Sequence, residues 1–175
     1  MHVRTSELLE HLDATRQCLS DAFANVREAN YDVRPSPLEW SAGEVLSHLA
    51  MIETSVVEIL QKKLRRAIAG DILSVAGEQT RRWRALADKL LDEGSKIEAP
   101  DFVVPDGTMS ATVAWQSLQT SRTKLRQILL AADGKNTETI VARHVLLGML
   151  TFEEGFGFVG NHEQRHAAQI VRSCS

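Results

Sequence analysis

The segment Ser41-Ala-Gly-Glu-Val-Leu-Ser-His48-Leu-Ala-Met-Ile-Glu53-Thr-Ser-Val-Val-Glu-Ile-Leu60 decides the fold class. Ser41 and Glu44 have the capping-box spacing, in which each side chain satisfies a backbone N–H that the first helical turn leaves unpaired. Trp40 and Val45 are spaced to form a hydrophobic staple across that start. Val45, Leu49, Ile52, Val56 and Ile59 then recur at steps of three or four, which is one face of an α-helix. His48 lies on that apolar side, one turn from both Val45 and Ile52. Lys62, Lys63, Arg65 and Arg66 precede Gly70, as the helix dipole and a C-terminal glycine favour.

The same period extends outward in both directions. Leu8, Leu12, Leu19, Phe23 and Val26 form an earlier stripe that ends before Asn30, ahead of a loop marked by Pro35 and Pro37. A third long helix starts near Ser110 and carries Val113, Leu118, Leu125, Ile128 and Leu129. A short helix is expected over Gln79 to Leu91, and an extended connection over Ala99 to Gly107, which holds Pro100 and Pro105. Val145 to Leu150 reads as a strand or as buried chain. The fourth long helix has two candidate starts, a Thr151/Glu154 capping box and Asn161 with Gln164. Thr151 is favoured because Phe152, Phe156 and Val159 give the longer helix an apolar stripe, although Gly155, Gly157 and Gly160 each cost roughly 1 kcal/mol against alanine. The expected architecture is all-α, a single domain over residues 1–175. It is a four-helix bundle with a long crossover connection between the second and third long helices.

Composition narrows the function classes. With 43% hydrophobic and 25% charged residues, the 175-residue chain can bury a core without disulfides and is not disordered. A net charge of −3 gives no general attraction to nucleic acid or to an anionic membrane. The basic groups Lys62–Arg66 and Arg81–Arg84 hold a single aromatic between them, Trp83, too few to stack a run of bases, so they read as solvated faces or as a rim that recruits a small anion. The first residues include Arg4, Glu7 and Glu10, and no apolar run approaches a membrane span, so a soluble cytoplasmic protein is expected. Cys18 reads as a small buried hydrophobe and Cys174 as a frayed terminus.

Three of the six histidines could carry chemistry. His162 and His166 are four apart and share one helix face, so two imidazoles can converge on an ion that needs nitrogens at about 2.0–2.1 Å. His48, embedded in an apolar stripe, needs a polar partner, and a shared metal would serve all three. Hydrogen-bonded core histidines are the plainer alternative. His162-Glu163-Gln164-Arg165-His166 also spells H-E-x-x-H, but none of the nine residues after His166 is His, Asp or Glu, and no sheet is evident to hold a peptide. Gly155-Phe-Gly-Phe-Val-Gly160 lacks the βαβ context of a dinucleotide site. The single Glu163/His166 pair lacks the second copy that a di-iron bundle uses.

Trp40-Ser-Ala-Gly-Glu-Val-Leu-Ser-His48-Leu-Ala-Met-Ile-Glu53, followed by Asn161-His-Glu-Gln-Arg-His166-Ala-Ala-Gln-Ile170, resembles the DinB-like (YfiT-like) superfamily. The likeness includes Pro105-Asp-Gly-Thr-Met-Ser110 before the third helix and His144-Val-Leu-Leu-Gly-Met-Leu-Thr151 before the fourth. It implies a four-helix bundle, often a homodimer, with one divalent ion, zinc or nickel, on His48, His162 and His166. It also implies thiol-dependent transferase or hydrolase chemistry on a small molecule, with a low-molecular-weight thiol as a possible co-substrate. Two positions depart from the pattern. Val145 follows His144 where proline is usual, and Gly155 stands where a bulky aromatic is common, which could open a groove beside Leu150.

The leading expectation is therefore a metal-dependent enzyme in which the ion activates water or a thiol. The alternative is a metal-binding or interaction bundle that acts as a homodimer without turnover. Glu163 could serve as a base but is expected as an exposed or supporting carboxylate, and His144 could approach the site from its loop. Neither is assigned a catalytic role.

Overall fold

The computed structural model describes residues 1–76, 83–86 and 98–173. Four long helices dominate it: α1 (Val3–Ala24), α2 (Ala42–Ala69), α3 (Ala111–Ala131) and α4 (Phe152–Ser173). The fold is all-α. α1 packs along α4, α2 along α3, and α2 also meets α4. The capping chemistry read from the sequence is in place. The Ser41 hydroxyl accepts from the Glu44 N–H, while the Glu44 carboxylate accepts from the Ser41 N–H at 2.8 Å. Ser110 caps α3.

Thr151 and Glu154 close the second capping box, which places the start of α4 at the earlier of its two candidates. The glycines that argued against so long a helix have steric reasons. A Cβ on Gly157 would sit 2.8 Å from the Trp83 Cβ and 3.1 Å from its carbonyl oxygen. One on Gly160 would meet the His11 ring at 2.4 Å. Bare backbone lets neighbouring groups approach there, which offsets the lost helix propensity. Gly155 opens no groove for an aromatic, because the Leu60 side chain fills that direction at 3.2–3.7 Å.

The core divides into two apolar clusters with a polar layer between them. One cluster holds Leu12, Val57, Leu125 and Val159; the other holds Leu19, Ala50, Leu118 and Ala167. Each helix passes a charged or polar side chain through the gap: Arg16 from α1, Glu53 from α2, Arg122 from α3 and Glu163 from α4. Within α2 the buried side runs through Leu46, Glu53, Val57, Leu60 and Leu64. Of the expected stripe, Val45 and Leu49 are buried, Ile52 and Val56 pack against the core and line a cavity, and only Ile59 is exposed.

Several other expectations are corrected. Cys18 is exposed, because one residue from buried Leu19 is a 100° turn toward solvent. Val113, in the first turn of α3, is also exposed. Gly70 caps the C-terminus of α2 as expected, and the next residue, Asp71, is the left-handed one (φ 50°), a region that a short Asp side chain tolerates. Residues 141–151 form a β-hairpin, β1 (Val141–His144) antiparallel to β2 (Gly148–Thr151), so the apolar run before α4 is half strand and half turn. Of the helix expected over Gln79 to Leu91, residues 83–86 are helical and the remainder lies outside the described residues. Arg81, Arg82 and Cys174 also lie outside them. Lys62, Lys63, Arg65 and Arg66 are exposed, as a solvated face requires. Among the described residues, no helix is long and apolar enough to cross a membrane.

Candidate metal centre

Helical geometry puts His162 and His166 one turn apart on α4, and α2 brings His48 opposite them. The three histidines, 118 residues apart at the extreme, become one cluster. The Nε2 of His162 lies 3.3 Å from that of His48 and 3.1 Å from that of His166. One ring nitrogen from each lies within 4.8 Å of the others.

The outer nitrogens decide the tautomers. His48 Nδ1 is 2.7 Å from the Val103 carbonyl oxygen. A carbonyl only accepts, so Nδ1 carries the proton and Nε2 keeps its lone pair. His166 Nδ1 likewise donates to Gln169 Oε1 at 2.7 Å. Two lone pairs therefore aim at His162 Nε2, and a single proton there can satisfy one of them. A cation accepts from all three at once. Two nitrogens bound to one tetrahedral ion at about 2.0–2.1 Å stand about 3.3–3.4 Å apart. The observed 3.1 and 3.3 Å separations fit that arrangement closely, so this donor set could hold a divalent ion.

Electrostatics keep the cluster ready to bind a cation. Burial lowers the pKa of His48, and burial together with the neighbouring histidines holds His162 well below the usual range. Burial, with a smaller contribution from His48, takes His166 down to about 3. All three are neutral at physiological pH, which is the ligating form. Aromatic rings hold them in place. Trp40 lies against His48 (4.8 Å between centroids) and His166 (6.4 Å), and Phe158 stacks on His162 at 5.2 Å and 18°. Trp40 also shares an apolar cluster with Val45, the partner expected from the helix start.

A cavity of about 170 Å³ opens beside the cluster. That is roughly ten times the 10–15 Å³ that one water requires on this measure. Its wall is mostly apolar, with Trp40, Phe102 and Phe158 contributing rings, and His144 and Arg165 also lie on it. Glu163 takes no part. It is 1% exposed and its carboxylate binds Arg16, Arg122 and the Thr15 hydroxyl, which corrects the expectation of an exposed or supporting group beside the ligands.

Sequence reasoning brought the three histidines forward and missed their supports. Gln169 could have been found, since it stands three residues after His166 on the same helix. Val103 could not, because a backbone carbonyl in an irregular connection leaves no mark in side-chain pattern.

The sequence profile of the DinB superfamily matches residues 11–170. An uncharacterized Bacillus subtilis protein, YuaE, is 25% identical over 138 residues, which span 78% of each chain. No solved structure gives a significant match. A profile match from α1 to the end of α4, over the elements that carry His48, His162 and His166, shows that the chain belongs to the DinB superfamily.

Proposed function

We propose that this protein is a metal-dependent enzyme in which His48, His162 and His166 hold one zinc or nickel ion at the wall of the cavity. Its substrate is a small molecule, and the reaction is hydrolysis or transfer to a low-molecular-weight thiol. The observation that carries the reading is the convergence of three neutral Nε2 atoms on one point beside a mostly apolar cavity. Three protein ligands, rather than four, is the count of catalytic zinc sites. When bound, a divalent ion lowers the pKa of a water or thiol beside it, chemistry that serves both reactions.

The protein's own residues have distinct duties in this reading. Val103 and Gln169 fix the tautomers of His48 and His166, as partners of metal-bound histidines do elsewhere. Trp40 and Phe158 orient the rings and exclude water from them. Glu53 and Glu163, tied to arginines, keep the nearby carboxylates out of the site.

A second reading is a metal-binding bundle that pairs with another copy without turnover. The exposed apolar side chains Phe102, Val145, Leu146 and Met149 favour it. Metal content of untagged protein, with His48→Ala and His166→Ala beside it, tests both. Near-stoichiometric zinc or nickel in the wild type and loss in both variants is the expected result. Wild type that stays metal-free after dialysis against either ion overturns the metal centre. Metal-loaded protein that turns over no thiol or ester substrate, and elutes as a dimer, favours the second reading.

A further inference from the structure

His144 is the one histidine on the cavity wall that stands outside the three-nitrogen cluster. It ends β1, and its Nδ1 accepts backbone N–H bonds from Leu146 and Leu147, each at 3.2 Å, across the hairpin turn. A nitrogen that accepts two N–H donors carries no proton, so the proton of the neutral ring is on Nε2. That Nε2–H has no hydrogen-bond partner among the described residues and is not among their buried unsatisfied atoms, so it is accessible, on a ring that lies on the cavity wall. The ring is held edge-on by Phe158 at 4.4 Å between centroids, and Phe158 in turn stacks on His162.

The fourth histidine is thus the mirror image of the other two whose tautomers are fixed. His48 and His166 donate through Nδ1 and present lone pairs. His144 accepts through Nδ1 and presents a donor. Arg165 lies on the same wall, and no carboxylate does among the described lining residues. A wall that combines a fixed N–H, a cationic side chain and aromatic rings suits a ligand with an apolar body and an acceptor oxygen.

We infer that His144 is a substrate-binding residue, which donates its Nε2–H to the carbonyl or carboxylate oxygen of a small, largely apolar molecule held beside the three histidines. The inference deepens the proposed function and rests on that reading for its catalytic meaning, but the binding itself is separately testable. It also gives the hairpin a purpose: the turn N–H groups set the tautomer of the residue that touches substrate.

Benzoate is a suitable probe, with one aromatic body and one acceptor group. Long-range 1H–15N spectra of the full-length metal-free protein should show His144 as the Nε2–H tautomer, with its ring signals shifting on addition of benzoate. In zinc-loaded protein, His144→Ala should weaken benzoate binding about tenfold, the loss expected for one hydrogen bond to a charged acceptor. His144→Gln, which can still present an N–H, should stay within about threefold of wild type. Both variants should keep their zinc. An Nδ1–H tautomer, no benzoate binding at all, or unchanged affinity in His144→Ala each overturns the inference. Failure of wild type to hold metal while benzoate still moves His144 sinks the metal reading and leaves this one standing.

Discussion

His162 and Glu163 are neighbours in the chain, yet they join buried polar clusters with opposite electrostatics. Glu163 belongs to a closed set. Arg16 contacts Glu163 at 2.5 Å and Glu53 at 2.8 Å, and Arg122 contacts Glu163 at 2.8 Å and Glu53 at 3.1 Å. Two cations and two anions balance, and little is left for a ligand to do. Burial pushes the Glu53 carboxyl up while the two arginines pull it down. His162 belongs to an open set of three neutral bases with no acid among them and a cavity beside them. The difference teaches that a buried polar cluster is read by its stoichiometry. A balanced set is a structural layer, whereas a set of neutral lone-pair donors beside a cavity could hold a cation.

The sharpest way to break this comparison is to unbalance the closed set. Glu163→Ala leaves buried guanidinium groups underpaired and should destabilise the fold by about 3–5 kcal/mol, read from urea unfolding. A loss below about 1 kcal/mol would show that the layer is not the closed structural unit described here.

The open set should announce itself through pH. In metal-free protein the folded-state pKa of His166 lies at about 3, below its ordinary value of 6.5. The unfolded chain therefore takes up a proton that the folded chain refuses, and stability falls as pH drops below 6.5 toward 3. The slope is about 1.4 kcal/mol per pH unit, close to 3 kcal/mol over two units. His166→Ala should flatten it in chemical unfolding repeated across that window. An unchanged slope would place His166 in water rather than in the core.

Adding a divalent cation should reverse the sign of the cluster's contribution. Zinc at about a hundredfold its dissociation constant should stabilise wild type by about 2.7 kcal/mol and leave His48→Ala unmoved. Equal stabilisation of both would locate the zinc elsewhere. The smallest effect tests the outer contacts. Gln169→Ala removes the acceptor of His166 Nδ1 and should cost about 1 kcal/mol, with zinc affinity down at least about tenfold. An affinity equal to wild type would mean that Gln169 does not orient the ligand.

The local elements were legible because their signals are local. The capping boxes at Ser41 and Thr151 act through backbone N–H groups three residues away, and both are found as read. The hairpin was half legible: the run at Val145 to Leu150 suggested a strand, but β1 before it has mixed burial and no clear alternation. Cys18 and Val113 were misplaced because a 100° step separates core from solvent, and sequence period fixes that angle only to within a neighbour.

By itself, then, the sequence determined four amphipathic helices, the starts of the last three, and a pair of histidines one turn apart, since all of these depend on neighbours within about four residues. Only the tertiary structure decided which polar residues meet. The pairing of α1 with α4, and of α2 with both α3 and α4, delivers Glu163 to two arginines and sends His162, one residue before it, to His48. Adjacent helical side chains point about 100° apart, and each takes the partner that the facing helix presents. That choice is a property of packing, and no stretch of sequence around residue 162 contains it.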